Sequence, residues 1–163
     1  MAKQKYRLET VLEIREKVKK EAVQFVALRR GQLAAEEEEL ERCHQAVQIN
    51  LRKQREQQDS MFTEINRGTE VRHAIVFRTH LSDLRDIELD LRAKVVEQEK
   101  AVQKAEAELE KSLELLAEAT KEVKVIEKHK ETWRTNTKLE ADRKEQKLND
   151  EIGAILYTPK NKS

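Results

Sequence analysis

The side chains of this chain that could bind a metal ion or catalyse a reaction are four histidines, one cysteine and many scattered carboxylates. His73 and His80 are seven residues apart, which separates them by about 10 Å along a helix and prevents both from coordinating one ion. The chain has no HExxH pattern, no cysteine–histidine cluster and no glycine-rich phosphate loop. Its carboxylates are too evenly spread to mark a general acid and base. We therefore predict no catalytic residues, no metal and no cofactor, and expect that the protein is not an enzyme.

The composition is typical of long helices. Charged residues make up 40% of the 163 residues and aromatic residues 4%, and three glycines and one proline leave little to interrupt a helix. The net charge is +1, and aromatic residues do not alternate with the basic ones, so nucleic acid is not an expected partner. No apolar run is long enough to span a bilayer, and no signal-peptide core follows the basic start. We expect a cytoplasmic protein without direct membrane insertion, in which Cys43 stays reduced.

Apolar residues recur at heptad spacing in the second half of the chain. One row contains Val95, Val102, Leu109, Leu116 and Val123. A second row, offset by three or four residues, contains Ala105, Ser112, Ala119, Ile126 and Trp133. Two such rows form the a/d seam of a coiled coil. A seam this narrow cannot enclose a pocket, so the pattern predicts a stiff rod that acts by contacting partners.

One break divides the chain into two helical segments. Gly68 can adopt the positive φ of a helix C-terminus, and Thr69 can cap the next helix. We predict helix 1 over about 8–65, a turn over about 66–69, helix 2 over about 70–152 and a polar tail over 153–163, with Gly153 ending helix 2. A short connection between two long seams predicts a single all-α domain over residues 1–163, an antiparallel coiled-coil hairpin with Leu33 opposite Val102.

The predicted helices are unequal, at about 90 Å and about 120 Å. Helix 2 therefore continues past the start of helix 1 as a polar overhang that begins after about Trp133. We expect the Trp133 side chain to pack on Tyr6 or Leu8. A single polar helix is marginal in water, so the overhang is expected to need a partner. Residues 1–30 carry nine basic against four acidic side chains, which favours an acidic partner at this open end. The alternative is a solvated surface stabilised by i,i+4 ion pairs. The candidate binding residues of the open end are Arg7, Arg15, Lys19, Arg134, Lys138, Arg143 and Lys147.

Apolar side chains also concentrate around the turn, at the tip of the hairpin. The candidate binding residues there are Met61, Phe62, Phe77, Leu81 and Leu84, with Ile65, Val71, Ile75 and Val76 beside them. Two alternatives stay open. These side chains pack together to close the hairpin, or they leave a surface for a partner.

Three segments carry a resemblance to a known family. They are Lys-Tyr-Arg-Leu at 5–8, Leu-Arg-Arg-Gly at 28–31 followed by Ala-Glu-Glu at 35–37, and Asp-Arg-Lys-Glu-Gln-Lys-Leu-Asn-Asp-Glu at 142–151. In this order they resemble the FliJ/YscO family of the bacterial type III export apparatus, flagellar FliJ and injectisome YscO. The resemblance implies a two-helix antiparallel coiled coil similar to the stalk of the F-type ATPase gamma subunit.

The resemblance also implies a function. It predicts a non-enzymatic central stalk at the cytoplasmic face of the inner membrane, which promotes assembly or activity of the export ATPase ring. The open end would bind the hexameric export ATPase, and the hairpin tip would bind the membrane export gate. The gate-contacting region of the family falls on about 38–49 and 77–84 of this chain. In the first of these ranges, Arg42 and Gln45 stand where the family can carry apolar or aromatic residues.

Other functions stay open at this point. The chain is alternatively an escort chaperone for export substrates or their chaperones, or an unrelated structural coiled-coil adaptor. The long Glu/Lys-rich helix favours an injectisome over a flagellum.

Overall fold

A computed structural model describes residues 5–68 and 70–157 of the chain. This part of the chain consists of two α-helices, α1 over Glu9–Asn66 and α2 over Val71–Tyr157, and contains no strand. The two helices pack against each other as an antiparallel hairpin. The predicted all-α two-helix hairpin is therefore confirmed.

Local signals explain where the helices meet. α1 ends at Asn66, and the Gly68 N–H donates to the Ile65 carbonyl at 3.0 Å. Gly68 has a φ of 81°, the left-handed conformation that glycine adopts at helix C-termini. α2 then begins with the His73 N–H donating to the Glu70 carbonyl at 2.9 Å. The turn lies where the sequence predicted it, while the predicted cap Thr69 lies outside the described residues.

The predicted end of α2 near 152 is wrong. The helix passes through Gly153 and continues to Tyr157, so the predicted polar tail is helical over 153–157. Gly153 lacks the positive φ that would end a helix, and an interior glycine costs only about 1 kcal/mol relative to alanine. The rest of the predicted tail, 158–163, lies outside the described residues.

The chain divides into two compact units, Met1–Val23 with Leu115–Ser163, and Gln24–Glu114. In the first unit the seam buries Leu12, Ala119 and Val123, and Arg15 pairs with Glu122. A single hairpin domain over 1–163 stays a prediction.

The second unit has its own seam. It buries Val26, Val47, Leu81, Leu84 and Val102. Arg29 pairs with Glu108 at 3.4 Å, and the Gln98 amide donates to the Glu36 carbonyl at 3.1 Å. If Leu33 lies opposite Val102, each residue of these two pairs contacts a residue within two positions of its expected partner.

Candidate partner-binding surfaces

An aromatic cluster joins the start of α1 to α2 in the first unit. The buried Tyr6 ring lies 5.3 Å from the Trp133 ring, and its hydroxyl is 2.7 Å from His129 Nδ1. Beside it, Lys130 Nζ donates to the Glu9 carboxylate at 2.5 Å. The prediction that Trp133 packs against Tyr6 is confirmed. The cluster marks the open end, where α2 continues past the start of α1.

The seven basic residues predicted at the open end have different surroundings. Arg15 pairs with Glu122 at 2.5 Å and Lys19 is half-buried beside the seam, so these two contribute to the hairpin itself. The remaining five are exposed: Arg7, Arg134, Lys138, Arg143 and Lys147. Arg7 and Arg134 lie next to the aromatic cluster, whose groove of about 510 Å³ is lined by Arg7, Tyr6 and Trp133.

Beyond the cluster, α2 is a single exposed helix. Every residue from 138 to 152 is exposed, and so are the residues from 154 to 157. Because the helix continues through Gly153, four apolar side chains share one face at spacings of four, seven and eight residues. We call this face the terminal stripe: Leu148, Ile152, Ile155 and Leu156. The sequence prediction missed it because Ile155 and Leu156 were assigned to the tail, although their spacing from Leu148 was a usable signal.

The five residues predicted to bind a partner at the tip also separate. Leu81 and Leu84 are buried in the seam, so they close the hairpin and are not accessible to a partner. Met61 and Phe77 are half-buried, while Phe62 is 67% exposed. Leu81 and Leu84 therefore follow the packing alternative, while a partner contact at Met61, Phe62 and Phe77 stays a prediction.

Four exposed apolar residues of the tip lie on one side of the hairpin. They are Phe62, Ile65, Val71 and Ile75, which we call the tip face. Each lies one helical position after a seam position, and such positions share one side of an antiparallel pair. Val76, which is 67% exposed, points to a different side. Residues 71–82 of α2 carry two arginines and two histidines without an acidic residue, while Glu64 and Glu70 precede Ile65 and Val71, so charges of both signs flank the tip face.

Two polar residues in the α1 half of the expected gate region, Arg42 and Gln45, pair within their own helix. Arg42 contacts Glu38 and Glu39 at 3.5 and 3.2 Å, and the Gln45 amide donates to Glu41 at 3.1 Å. These side chains offer a partner no apolar contact, in agreement with the departure from the family pattern at both positions.

The Leu-Arg-Arg-Gly motif contributes a cross-helix contact. The Arg29 guanidinium lies 4.9 Å from the centre of the Phe25 ring and pairs with Glu108 at 3.4 Å. A hydrogen bond from Lys111 lowers the pKa of the Glu108 carboxyl, and the charges of Lys111 and Arg29 lower it further. The motif therefore has a structural role in the second unit.

Residues 5–68 and 70–157 carry neither a candidate metal site nor a candidate membrane span. No group of three or more histidine, cysteine, aspartate or glutamate side chains is placed to hold a metal ion. No helix in the same part of the chain combines the length and apolarity needed to cross a bilayer.

Comparisons with known proteins agree on one family. A family model described as YscO-like protein matches residues 3–163. The chain is similar to a solved structure from Chlamydia trachomatis, described as the YscO homologue CT670, with 25% sequence identity and a TM-score of 0.80. That match covers 94% of this chain and 95% of the other. No curated protein matches the chain.

Proposed function

The chain belongs to the YscO-like family, which is associated with type III protein export, and we propose that it is a non-enzymatic central stalk of such an export apparatus. In this proposal the open end binds the hexameric export ATPase and promotes ring assembly or activity. The tip binds the membrane export gate and couples hydrolysis to export. The protein then works at the cytoplasmic face of the inner membrane.

The exposed extension of α2 is the observation that supports this function most. After Trp133 contacts Tyr6, α2 continues for 24 residues to Tyr157, and the side chains from 138 to 152 are all exposed. An isolated polar helix is marginal in water, so a partner that surrounds it supplies the missing packing. A ring with a central opening is a partner of that shape.

The tip face supports the second contact. Phe62, Ile65, Val71 and Ile75 expose apolar surface on one side of the tip. A cluster of exposed aliphatic and aromatic residues is typical of a protein-binding site. Leu81 and Leu84, further along α2, are buried in the seam and hold the two helices together.

Binding of the purified full-length chain to the export ATPase of the same system tests the first contact. We expect hexamer formation and stimulated ATP hydrolysis, with an affinity that falls as salt increases. Charge reversal at the exposed pair, R134E/K138E, should weaken binding by about tenfold. R52E/K53E makes the same charge change in the second unit, where both side chains are exposed, and should have little effect. No binding by the wild-type chain would contradict the proposal, and binding to export substrates or their chaperones instead would favour an escort chaperone.

Binding to the cytoplasmic domain of the export gate tests the second contact. Phe62→Ser should abolish binding with an unchanged melting temperature, because Phe62 is 67% exposed. Val76→Ser is the matched control, since Val76 is equally exposed on another side of the tip. Equal losses in the two variants would argue against the tip face.

A further inference from the structure

Polar contacts cross between α1 and α2 within the seam of the second unit. They join three pairs, which we call the polar layers: Arg29 with Glu108, Glu36 with Gln98, and Gln54 with Glu88. The Gln98 amide donates to both the carbonyl and the carboxylate of Glu36, at 3.1 and 2.5 Å. Gln54 is 8% exposed and the Glu88 side chain 18% exposed, and the hydrogen bond between them measures 2.8 Å. Each pair satisfies a polar group that the seam removes from water.

The apolar rows of the seam do not define a single alignment of the two helices. A heptad row repeats every seven residues, so sliding α1 along α2 by seven residues again places apolar beside apolar side chains. Leu33 lies opposite Val102 in the expected register, and after such a shift it would lie opposite Val95 or Leu109. Another feature must distinguish these alignments.

The tip is a weak restraint on the alignment. Of residues 55–68 and 70–80, none has a buried side chain. A shift of one heptad requires about seven residues of the tip to leave the helix, and no buried side chain is lost when they do. The turn at Gly68 therefore contributes little to the choice between shifted registers.

The polar layers distinguish the registers because all their partners change together. After a shift in either direction each α1 member faces an apolar residue: Leu91 or Ala105 opposite Glu36, Leu81 or Val95 opposite Gln54, and Ala101 or Leu115 opposite Arg29. A buried polar group that loses its partner costs more than the hydrogen bond contributes. A shifted register carries this cost at each layer.

We propose that the three polar layers fix the register of α1 against α2 in the second unit, and that without them alignments shifted by one heptad become populated. Buried polar residues specify register in coiled coils at a cost in stability. The tip face combines residues of both helices, such as Phe62 and Val71, so its assembly depends on this register. The inference concerns the fold and does not depend on the proposed export function.

Disulfide cross-linking of the full-length chain measures the register. In a C43A background, L33C/V102C reports the expected alignment, while L33C/V95C and L33C/L109C report the two shifted ones. A shifted partner lies about 10 Å further along α2, which is beyond the reach of a disulfide. Oxidation at low protein concentration followed by non-reducing electrophoresis gives the rate of the intramolecular cross-link for each pair.

The decisive variant moves the polar partners without changing the composition. Q98A/A105Q/E88V/V95E exchanges residues one heptad apart, so Glu36 and Gln54 meet polar partners only after a shift of seven residues. With the natural layers, L33C/V102C should cross-link at least about tenfold faster than either shifted pair. In the exchange variant, L33C/L109C should become the faster pair by about the same factor.

Two further variants complete the test. E36L/N50L/Q54L/E88L/Q98L removes two layers and should keep the helical circular dichroism spectrum, but cross-link Leu33→Cys to more than one position at similar rates. V96Q/Q103V is the matched control, because it exchanges two exposed residues one heptad apart outside the seam. Its cross-linking pattern should be that of the wild type.

Two results would overturn the inference. One is exclusive cross-linking of L33C/V102C in the leucine variant, which would assign the register to the apolar rows and the turn; this variant decides alone if the exchange variant does not fold. The other is equal cross-linking of a shifted pair and L33C/V102C with the natural layers in place.

Discussion

A buried polar layer interrupts the seam of the second unit near the tip. Asn50 and Gln54 of α1 are both buried. The Gln54 amide nitrogen lies 2.8 Å from Asn50 Oδ1, 2.8 Å from a Glu88 carboxylate oxygen and 3.3 Å from the Leu84 carbonyl. Arg92 donates to the same carboxylate at 2.7 Å. Each member of the layer has a partner, so its stability depends on all of them together.

Gln54→Leu should destabilise the protein although it adds an apolar residue to the seam. The change removes a hydrogen bond worth about 1 kcal/mol to Asn50. It also removes the hydrogen bond to the Glu88 carboxylate. It also leaves the buried Asn50 amide without its donor, at a cost of about 1–3 kcal/mol. The buried leucine returns about 1.5–3 kcal/mol. At the midpoints of these ranges the net expectation is a loss of about 1 kcal/mol, and loss of the Glu88 hydrogen bond increases it.

The double variant N50L/Q54L should recover this loss. Both polar groups are then gone and two leucines occupy the seam, which we expect to make it more stable than Q54L by about 2 kcal/mol. Urea unfolding followed by circular dichroism at neutral pH measures both values. Gln48→Leu is the control, because Gln48 is an exposed residue of the same helix and should change stability by less than about 0.5 kcal/mol. If Q54L is as stable as the wild type, or if N50L/Q54L is less stable than Q54L, the reasoning is wrong.

Three further predictions concern stability and titration. In thermal unfolding, Gly31→Ala should raise stability by about 0.5–1 kcal/mol, because Gly31 is in a helix interior and an added Cβ meets nothing within 4 Å. Gly68→Ala should lower stability by about 1–2 kcal/mol, because the φ of Gly68 is positive. Trp133→Ala should cost about 2 kcal/mol, less than the loss for a fully buried aromatic residue, because Trp133 is half-buried. The hydrogen bond from Gln54, followed by that from Arg92, lowers the pKa of the Glu88 carboxyl. The ionised carboxylate therefore stabilises the fold above the pKa of Glu88 in the unfolded chain, and this stabilisation is lost as pH falls through the pKa of Glu88 in the folded protein. Gln54→Leu should therefore raise the pKa of Glu88 in a carbon-13 NMR titration, and an unchanged pKa would contradict that assignment.

The hairpin was predictable because its determinants are local or periodic. Heptad rows such as Val95 to Val123 define a seam, and the break at Gly68 defines the turn. The cross-helix pair between Arg29 and Glu108 then follows from matching the two seams across that turn. Each of these signals depends on spacing along the chain and needs no knowledge of the packed structure.

The end of α2 and the terminal stripe were not predictable in the same way. A glycine near the end of a helical pattern is compatible with either a cap or an interior position, and the two differ by only about 1 kcal/mol. At Gly153 the interior position is adopted. The apolar residues after it therefore belong to a helix face and not to a tail.

The sequence by itself determined that this chain forms two long helices with a narrow seam, because helix propensity, capping and heptad spacing act within a few residues. It also carried enough ordered motifs to indicate the YscO-like family. Only the tertiary structure decided which apolar residues remain exposed, since burial depends on what the opposite helix places against each side chain. Leu81 and Leu84 meet α1 and are buried, whereas Phe62 and Leu148 meet no such partner and stay exposed.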